Sequence, residues 1–189
     1  LNKDYTVTYS KNKAVGKASV IIRGKNAYSG KITKTFTIVK AAKGKTYTVG
    51  KFKYTITGAK ADGTGTVAIS GTTYTRSDKK FASLTISDAV VIGGVKFKIT
   101  SVGANAFSRY SMLTSVVIGN NVTSIGSNAF VSCKKLKKVT IKSTKLKGVG
   151  AKAFSGTYSK VTFVLPKSKA ASYKKLIKNG SPSANAIYK

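Results

Sequence analysis

Few side chains in this sequence could carry out chemistry. It holds no histidine and no glutamate, one cysteine (Cys133), and four aspartates, Asp4, Asp62, Asp78 and Asp88. Without histidine there is no Ser-His-Asp or Cys-His nucleophile pair and no histidine-bearing metal site. A single cysteine excludes an internal disulfide and a cysteine-only zinc site. A glycosidase needs two facing carboxyls, and here both would have to come from four scattered aspartates. The Gly119-Asn-Asn-Val122 loop has no phosphate-cradling glycine pattern ahead of a helix. Serine and lysine are so abundant that a Ser–Lys dyad leaves no distinguishing signal. Cys133 reads as a small buried packing residue, and only its neighbours Lys134 and Lys135 favour a reactive thiol instead. The expectation is a protein that is not an enzyme, with no catalytic residue, no metal and no cofactor.

Binding is better supplied than catalysis. Lysine and arginine number 35 against 4 acids, a formal net charge of +31. Such a field collects polyanions. Only Arg23, Arg76 and Arg109 are arginine. Lysine is a hydrated point charge, whereas arginine is the usual fork for guanine or phosphate. A lysine surface therefore points to diffuse attraction more than to sequence reading. There is no tryptophan among the aromatic residues. Tyr5, Tyr9, Tyr54 and Tyr74 fall at strand parity, where packing is the better reading than sugar stacking.

The elements that must display this charge repeat along the chain. Ile99-Thr-Ser-Val-Gly-Ala-Asn-Ala-Phe107 returns as Val122-Thr-Ser-Ile-Gly-Ser-Asn-Ala-Phe130, and again as Leu146-Lys-Gly-Val-Gly-Ala-Lys-Ala-Phe154. The phenylalanines are 23 and 24 residues apart. That period, with apolar residues at L-x-x-L-x-L spacing, is the signature of a leucine-rich solenoid. Leu113, Val116 and Ile118 should point inward, with Leu136, Val139 and Ile141 as counterparts. In the third repeat Tyr158, Val161 and Phe163 take these places, two residues early relative to Phe154, so the loop after Phe154 is expected to have lost two residues. Phe81-Ala-Ser-Leu-Thr-Ile86 fits the same spacing one repeat earlier. Each Asn-Ala-Phe segment should begin a short helical turn, and the three phenylalanines should stack. The outward sheet face is then the candidate ligand-binding surface: Ser83, Thr85, Ser115, Val117, Lys138, Thr140, Lys142, Lys160 and Thr162.

Around the repeats, residues 1–40 read as three antiparallel strands by period-2 alternation, broken at Lys11–Lys13 and Asn26–Gly30. A short linker begins at Ala41-Ala-Lys-Gly44. Thr46–Val49 and Phe52–Thr57 flank the hairpin pair Gly50-Lys51, and Gly93-Gly94 turns a second hairpin. Ser168 can cap a helix over 168–178 that carries Tyr173, Leu176 and Ile177 on one stripe and ends at Asn179-Gly180. No run of about 18 apolar residues is present to span a membrane. Leu1 is not an initiator methionine, and the expectation is a processed or cut end inside a domain whose first half lies elsewhere.

Two resemblances complete the reading. Asp4-Tyr-Thr-Val-Thr-Tyr-Ser10, Val15-Gly-Lys-Ala-Ser-Val20, Gly24-Lys-Asn-Ala-Tyr-Ser-Gly30 and Phe36-Thr-Ile38 resemble the second half of bacterial immunoglobulin-like repeats. Residues 45–189 resemble the BspA-type (treponemal) leucine-rich repeat family of bacterial surface proteins. The markers are Ile125-Gly-Ser-Asn-Ala-Phe130, Cys133-Lys-Lys-Leu-Lys-Lys-Val-Thr-Ile141 and Val164-Leu-Pro-Lys-Ser-Lys169. Lys152 and Gly148 depart from the repeated asparagine and serine. The resemblance implies a mainly β fold with short helices: a short capped leucine-rich-repeat solenoid plus a partial immunoglobulin-like β-sandwich. The domains would be 1–40, the immunoglobulin-like half; 41–98, linker and β-rich cap; 99–165, repeats; and 166–189, a helical cap. It also implies a non-enzymatic secreted or cell-surface adhesion module of a bacterium. Its partners would be host or microbial surface proteins, or anionic polysaccharide such as teichoic acid. A nucleic-acid-binding protein, or the accessory region of a larger surface enzyme, remains the alternative.

Overall fold

The computed structural model describes residues 4–10, 16–38, 42–60 and 64–189. The expected break at Lys11–Lys13, the linker's first residue Ala41, Asp62, and the side chains of Phe36 and Ile38 lie outside what is described. The chain divides into two compact units, Leu1–Ala41 and Ala42–Lys189.

The smaller unit is one antiparallel sheet of β1 (Tyr5–Ser10), β2 (Gly16–Gly24) and β3 (Lys31–Ile38), in that order. Period-2 alternation sets the register: Val7 faces Ile22, and Ile22 faces Ile32. This apolar row is exposed, at 38%, 37% and 57%. Asn26, at φ 57°, turns the chain between β2 and β3. Tyr9, expected to pack, is exposed.

The larger unit winds between two sheets. The first is β7 (Ser83–Ile86), β10 (Ser115–Ile118), β12 (Lys138–Ile141), β14 (Thr162–Val164) and β15 (Ile187–Tyr188), every neighbour parallel. The second runs from β4 (Thr46–Val49) through β5 (Phe52–Ala59), β6 (Gly65–Thr72) and β9 (Val95–Val102) to β11 (Ser124–Ile125) and β13 (Gly148–Val149). Its pairs are antiparallel as far as β6 and parallel from there on. β8 (Ala89–Ile92) forms a hairpin with β9. Gly93 and Gly94 both have positive φ in that turn, as a type I′ turn requires.

Register stacks the core in columns. Leu84, Val116, Val139 and Phe163 align across the first sheet, and Ile86, Ile118 and Ile141 align beside them. All are buried. Val102, Ile125 and Val149 form the matching column in the second sheet. The phenylalanine column is present as expected. Phe107 stacks on Phe130 at 5.6 Å, and Phe130 on Phe154 at 5.6 Å, with interplanar angles of 11° and 6°. Tyr74 and Phe81 extend it at one end, Phe163 and Tyr188 at the other.

Three expectations need correction. The Asn-Ala-Phe segments are turns, not helical turns. Asn105, Asn128 and Lys152 have φ of 56–57°, and Arg109 and Ser132 are also at positive φ, which ends a right-handed helix. The phenylalanine amides bond across instead, Phe107 N to Ala129 O and Phe130 N to Ala153 O in the next coil, and Phe154 N to Gly180 O after the helix. The third repeat is also offset from the expected alignment. Phe163 pairs with Val139, so Phe163 and Leu165 are the inward pair, while Tyr158 is exposed with Lys137 over its ring. From each phenylalanine to its strand residue (Phe107 to Val116, Phe130 to Val139, Phe154 to Phe163) the interval is constant, so no net deletion occurred.

The helix also begins later than expected. Lys167–Lys169 is a 3-10 turn, and α1 spans Ala170–Asn179 with Lys169, not Ser168, at its N-cap and no side-chain cap. Tyr173 and Ile177 are buried, and Gly180 ends the helix. An added Cβ at Gly180 would strike Val149 and Phe154, so the helix end seals the last coil.

Candidate functional site

The sheet face is built by the parallel register of β7, β10, β12, β14 and β15. Residues that point inward alternate with those that point outward. One outward row is Ser83, Ser115, Lys138, Thr162 and Ile187; the next is Thr85, Val117, Thr140 and Val164. At the usual strand spacing the first row spans about 19 Å. Ser83, Thr85 and Lys138 are exposed, while Ser115, Val117, Thr140 and Thr162 are half-buried.

The structure separates the remaining two candidates. Lys142 follows the C-terminal end of β12 and Lys160 precedes β14, so they lie at opposite ends of the strands and belong to neither row. The shifted alignment of the third repeat moved Lys160 out and Val164 in. Thr162 stays, one strand from Lys138.

The acids among the described residues are used in turns. Asp78 Oδ1 accepts from Lys80 N at 2.9 Å. Asp88 accepts from Asn120 N at 2.6 Å and Asn120 Nδ2 at 3.0 Å, and its carbonyl accepts from Asn121 Nδ2 and Ile99 N. The Asn120 side chain, then its amide and the Lys142 charge, hold the Asp88 carboxyl below its usual range. Among the described residues no three of His, Cys, Asp or Glu gather as a metal would require. Cys133 is fully buried, its Sγ donating to Phe107 O at 3.0 Å, and burial pushes its thiol up to about 11. A thiol so held is protonated at neutral pH and inert as a nucleophile.

Charge is concentrated toward the C-terminal end of the chain, and of the two outward rows only Lys138 carries any. Residues 134–189 contain fifteen lysines and no acid, whereas 81–133 contain only Lys96, Lys98, Arg109 and Asp88. All fifteen are exposed. A cleft beside α1, lined partly by three of them, was not foreseen, because it forms between segments far apart in sequence. Among the described residues no helix is long and apolar enough to cross a membrane.

Residues 71–181 match a family model described as a BspA type leucine rich repeat region (6 copies). No curated protein matches the chain. A leucine rich cell surface protein from Faecalibacterium prausnitzii A2-165 is similar in structure, with a TM-score of 0.50 and 24% identity over 77% of this chain. A leucine-rich repeat protein from Bacteroides ovatus aligns with a TM-score of 0.46 and 22% identity over 65% of this chain. The chain spans 43% and 38% of those two proteins. The likeness to the first of them concerns the fold. The family match covers more than half of the sequence and all three Asn-Ala-Phe or Lys-Ala-Phe turns. The chain therefore belongs to the BspA-type leucine-rich repeat family.

Proposed function

We propose that the chain is a non-enzymatic binding module displayed outside a bacterial cell, attracted to anionic wall polymers, glycans or host surface proteins. The observation that carries this reading is the run of fifteen exposed, acid-free lysines over residues 134–189. Lysines in that number, with no acid to neutralise them, gather polyanions over a Debye length of about 8–10 Å. The family's fold supplies a rigid, regular surface on which to hold them. In this reading residues 1–40 are the C-terminal half of an immunoglobulin-like β-domain, for which the exposed Val7–Ile22–Ile32 row is the support. Residues 41–98 are linker and cap, 99–165 the repeats and 166–189 the closing cap.

The sheet face is the proposed contact surface, with Ser83, Thr85, Ser115, Val117, Thr140 and Thr162 around Lys138, flanked by Lys142 and Lys160. Reversing charge at Lys138, Lys142 and Lys160 to glutamate should weaken binding to heparin or teichoic acid about ten-fold or more at low salt, as read by titration calorimetry. Unchanged affinity would remove the sheet face from the reading. A salt titration sorts the ligand. Binding held by counterion release alone falls steeply on a log–log plot, while a partner held by shape keeps its affinity at high salt.

A further inference from the structure

A cleft of about 370 Å³ lies between α1 and the segment that follows β12. Lys147 lines it from that segment, Lys169 from the N-cap of the helix and Lys175 from the helix itself, and Leu146, Tyr173 and Leu176 give it an apolar floor. Its walls are fixed without a ligand. The fully buried Ser143 donates from Oγ to Val122 O at 2.6 Å and accepts from Lys145 N at 3.0 Å. Leu146 N donates to the Tyr173 hydroxyl at 2.9 Å, and Tyr173 is only 2% exposed. Fixed walls lower the ordering cost of binding.

The charges around this cleft conflict with one another. The first turn of α1 has no acidic residue and no side-chain cap, and Lys167 and Lys169 stand beside the positive end of the helix dipole. An anion in the cleft offsets both. The backbones of Lys169 and Lys175 are about 9 Å apart along the helix axis at 1.5 Å per residue. The spacing suits a chain with anionic groups at intervals. The floor offers aliphatic surface and no exposed aromatic face on which a nucleobase would stack. No arginine lines it for bidentate phosphate reading.

We propose that the cleft between α1 and the Leu146 segment binds a linear glycan-type polyanion through its sulfate or phosphate ester groups, held by Lys147, Lys169 and Lys175. The site is separate from the outward sheet rows, so its failure leaves the sheet-face reading standing.

The test compares Lys147→Gln, Lys169→Gln and Lys175→Gln combined with a control of equal charge loss, Lys45→Gln, Lys53→Gln and Lys96→Gln. Both sets are exposed, and circular dichroism checks that each variant folds. The probes are a heparin oligosaccharide, a polyglycerol phosphate oligomer and a single-stranded DNA of equal charge. The cleft variant should lose about ten-fold in affinity for at least one of the two ester polymers, the control less than about two-fold, and the salt slope should fall by about two to three. The ester polymer bound more tightly identifies the group as sulfate or phosphate. In an acetylation footprint of the unaltered protein, saturating ester polymer should protect Lys147, Lys169 and Lys175 ahead of other lysines. Equal loss in both variants, DNA binding as tight and as cleft-dependent as the ester polymers, or no preferential protection would each overturn the proposal.

Discussion

The Asp88 carboxylate takes two hydrogen bonds from Asn120, while the Asp88 backbone carbonyl receives Asn121 and Ile99. One acid thus ties the loop after β7 to the loop after β10. Hydrogen bonding to the charged form lowers the folded pKa below the unfolded one. Its contribution is therefore present above the unfolded pKa and is lost as pH falls through the folded one. Asp88→Ala should cost about 0.5–1 kcal/mol at neutral pH, at the low end because the group is exposed. Urea denaturation at neutral pH and near pH 2.5 checks this. The gap between variant and parent should close at the acid end, and a gap independent of pH would refute the charge assignment. Cys133 shows the opposite environment. Buried on the Phe107 carbonyl, it is a packing atom, and the flanking lysines do not make it a nucleophile.

At the scale of the element, the repeat is a coil whose close approaches leave no room for a side chain. A Cβ built on Gly126 would sit 2.5 Å from Ala104 N and 2.8 Å from Gly103 C, both backbone atoms of the preceding coil. Gly150 meets Ser127 in the same way one coil later. Backbone cannot swing aside as a flexible side chain can, so Gly126→Ala should destabilise by about 2–3 kcal/mol. That corresponds to a fall in Tm of about 4–12 °C for a chain of this size. Calorimetry of the variant beside Gly148→Ala checks it, since Gly148 has open space around its Cβ position. Equal effects at both glycines would show that the loss comes from backbone freedom and not from coil contact.

For the whole molecule, the excess of 31 positive charges acts on stability as well as on partners. With 35 cations and 4 acids, most lysines repel one another, and the fifteen in residues 134–189 have no acid near them in sequence. Added salt screens that repulsion, so Tm should rise by several degrees between about 20 and 500 mM sodium chloride. A Tm that falls or stays flat over that range would mean the lysines are spaced widely enough not to interact. The same screening weakens capture of polyanions. Stability and binding should therefore move in opposite directions with salt.

The sequence by itself determined the period, the inward residues of the first three coils and the stacked phenylalanines. These follow from local spacing, and a parallel ladder preserves spacing from coil to coil. It also determined the poverty of catalytic groups and the sign of the charge. The tertiary structure alone decided what depends on neighbouring coils. The asparagine and phenylalanine amides of the Asn-Ala-Phe turns bond to the next coil, which no local pattern announces. The third repeat keeps its nine-residue interval from Phe154 to Phe163, so the ladder pairs Thr162 with Lys138, which leaves Tyr158 exposed and Lys160 off the sheet rows. The α1 cleft joins Lys147 to Lys169 and Lys175 across two segments that touch only when the last coil is closed. Charge can be counted along a chain, but which charges share a surface is set by packing.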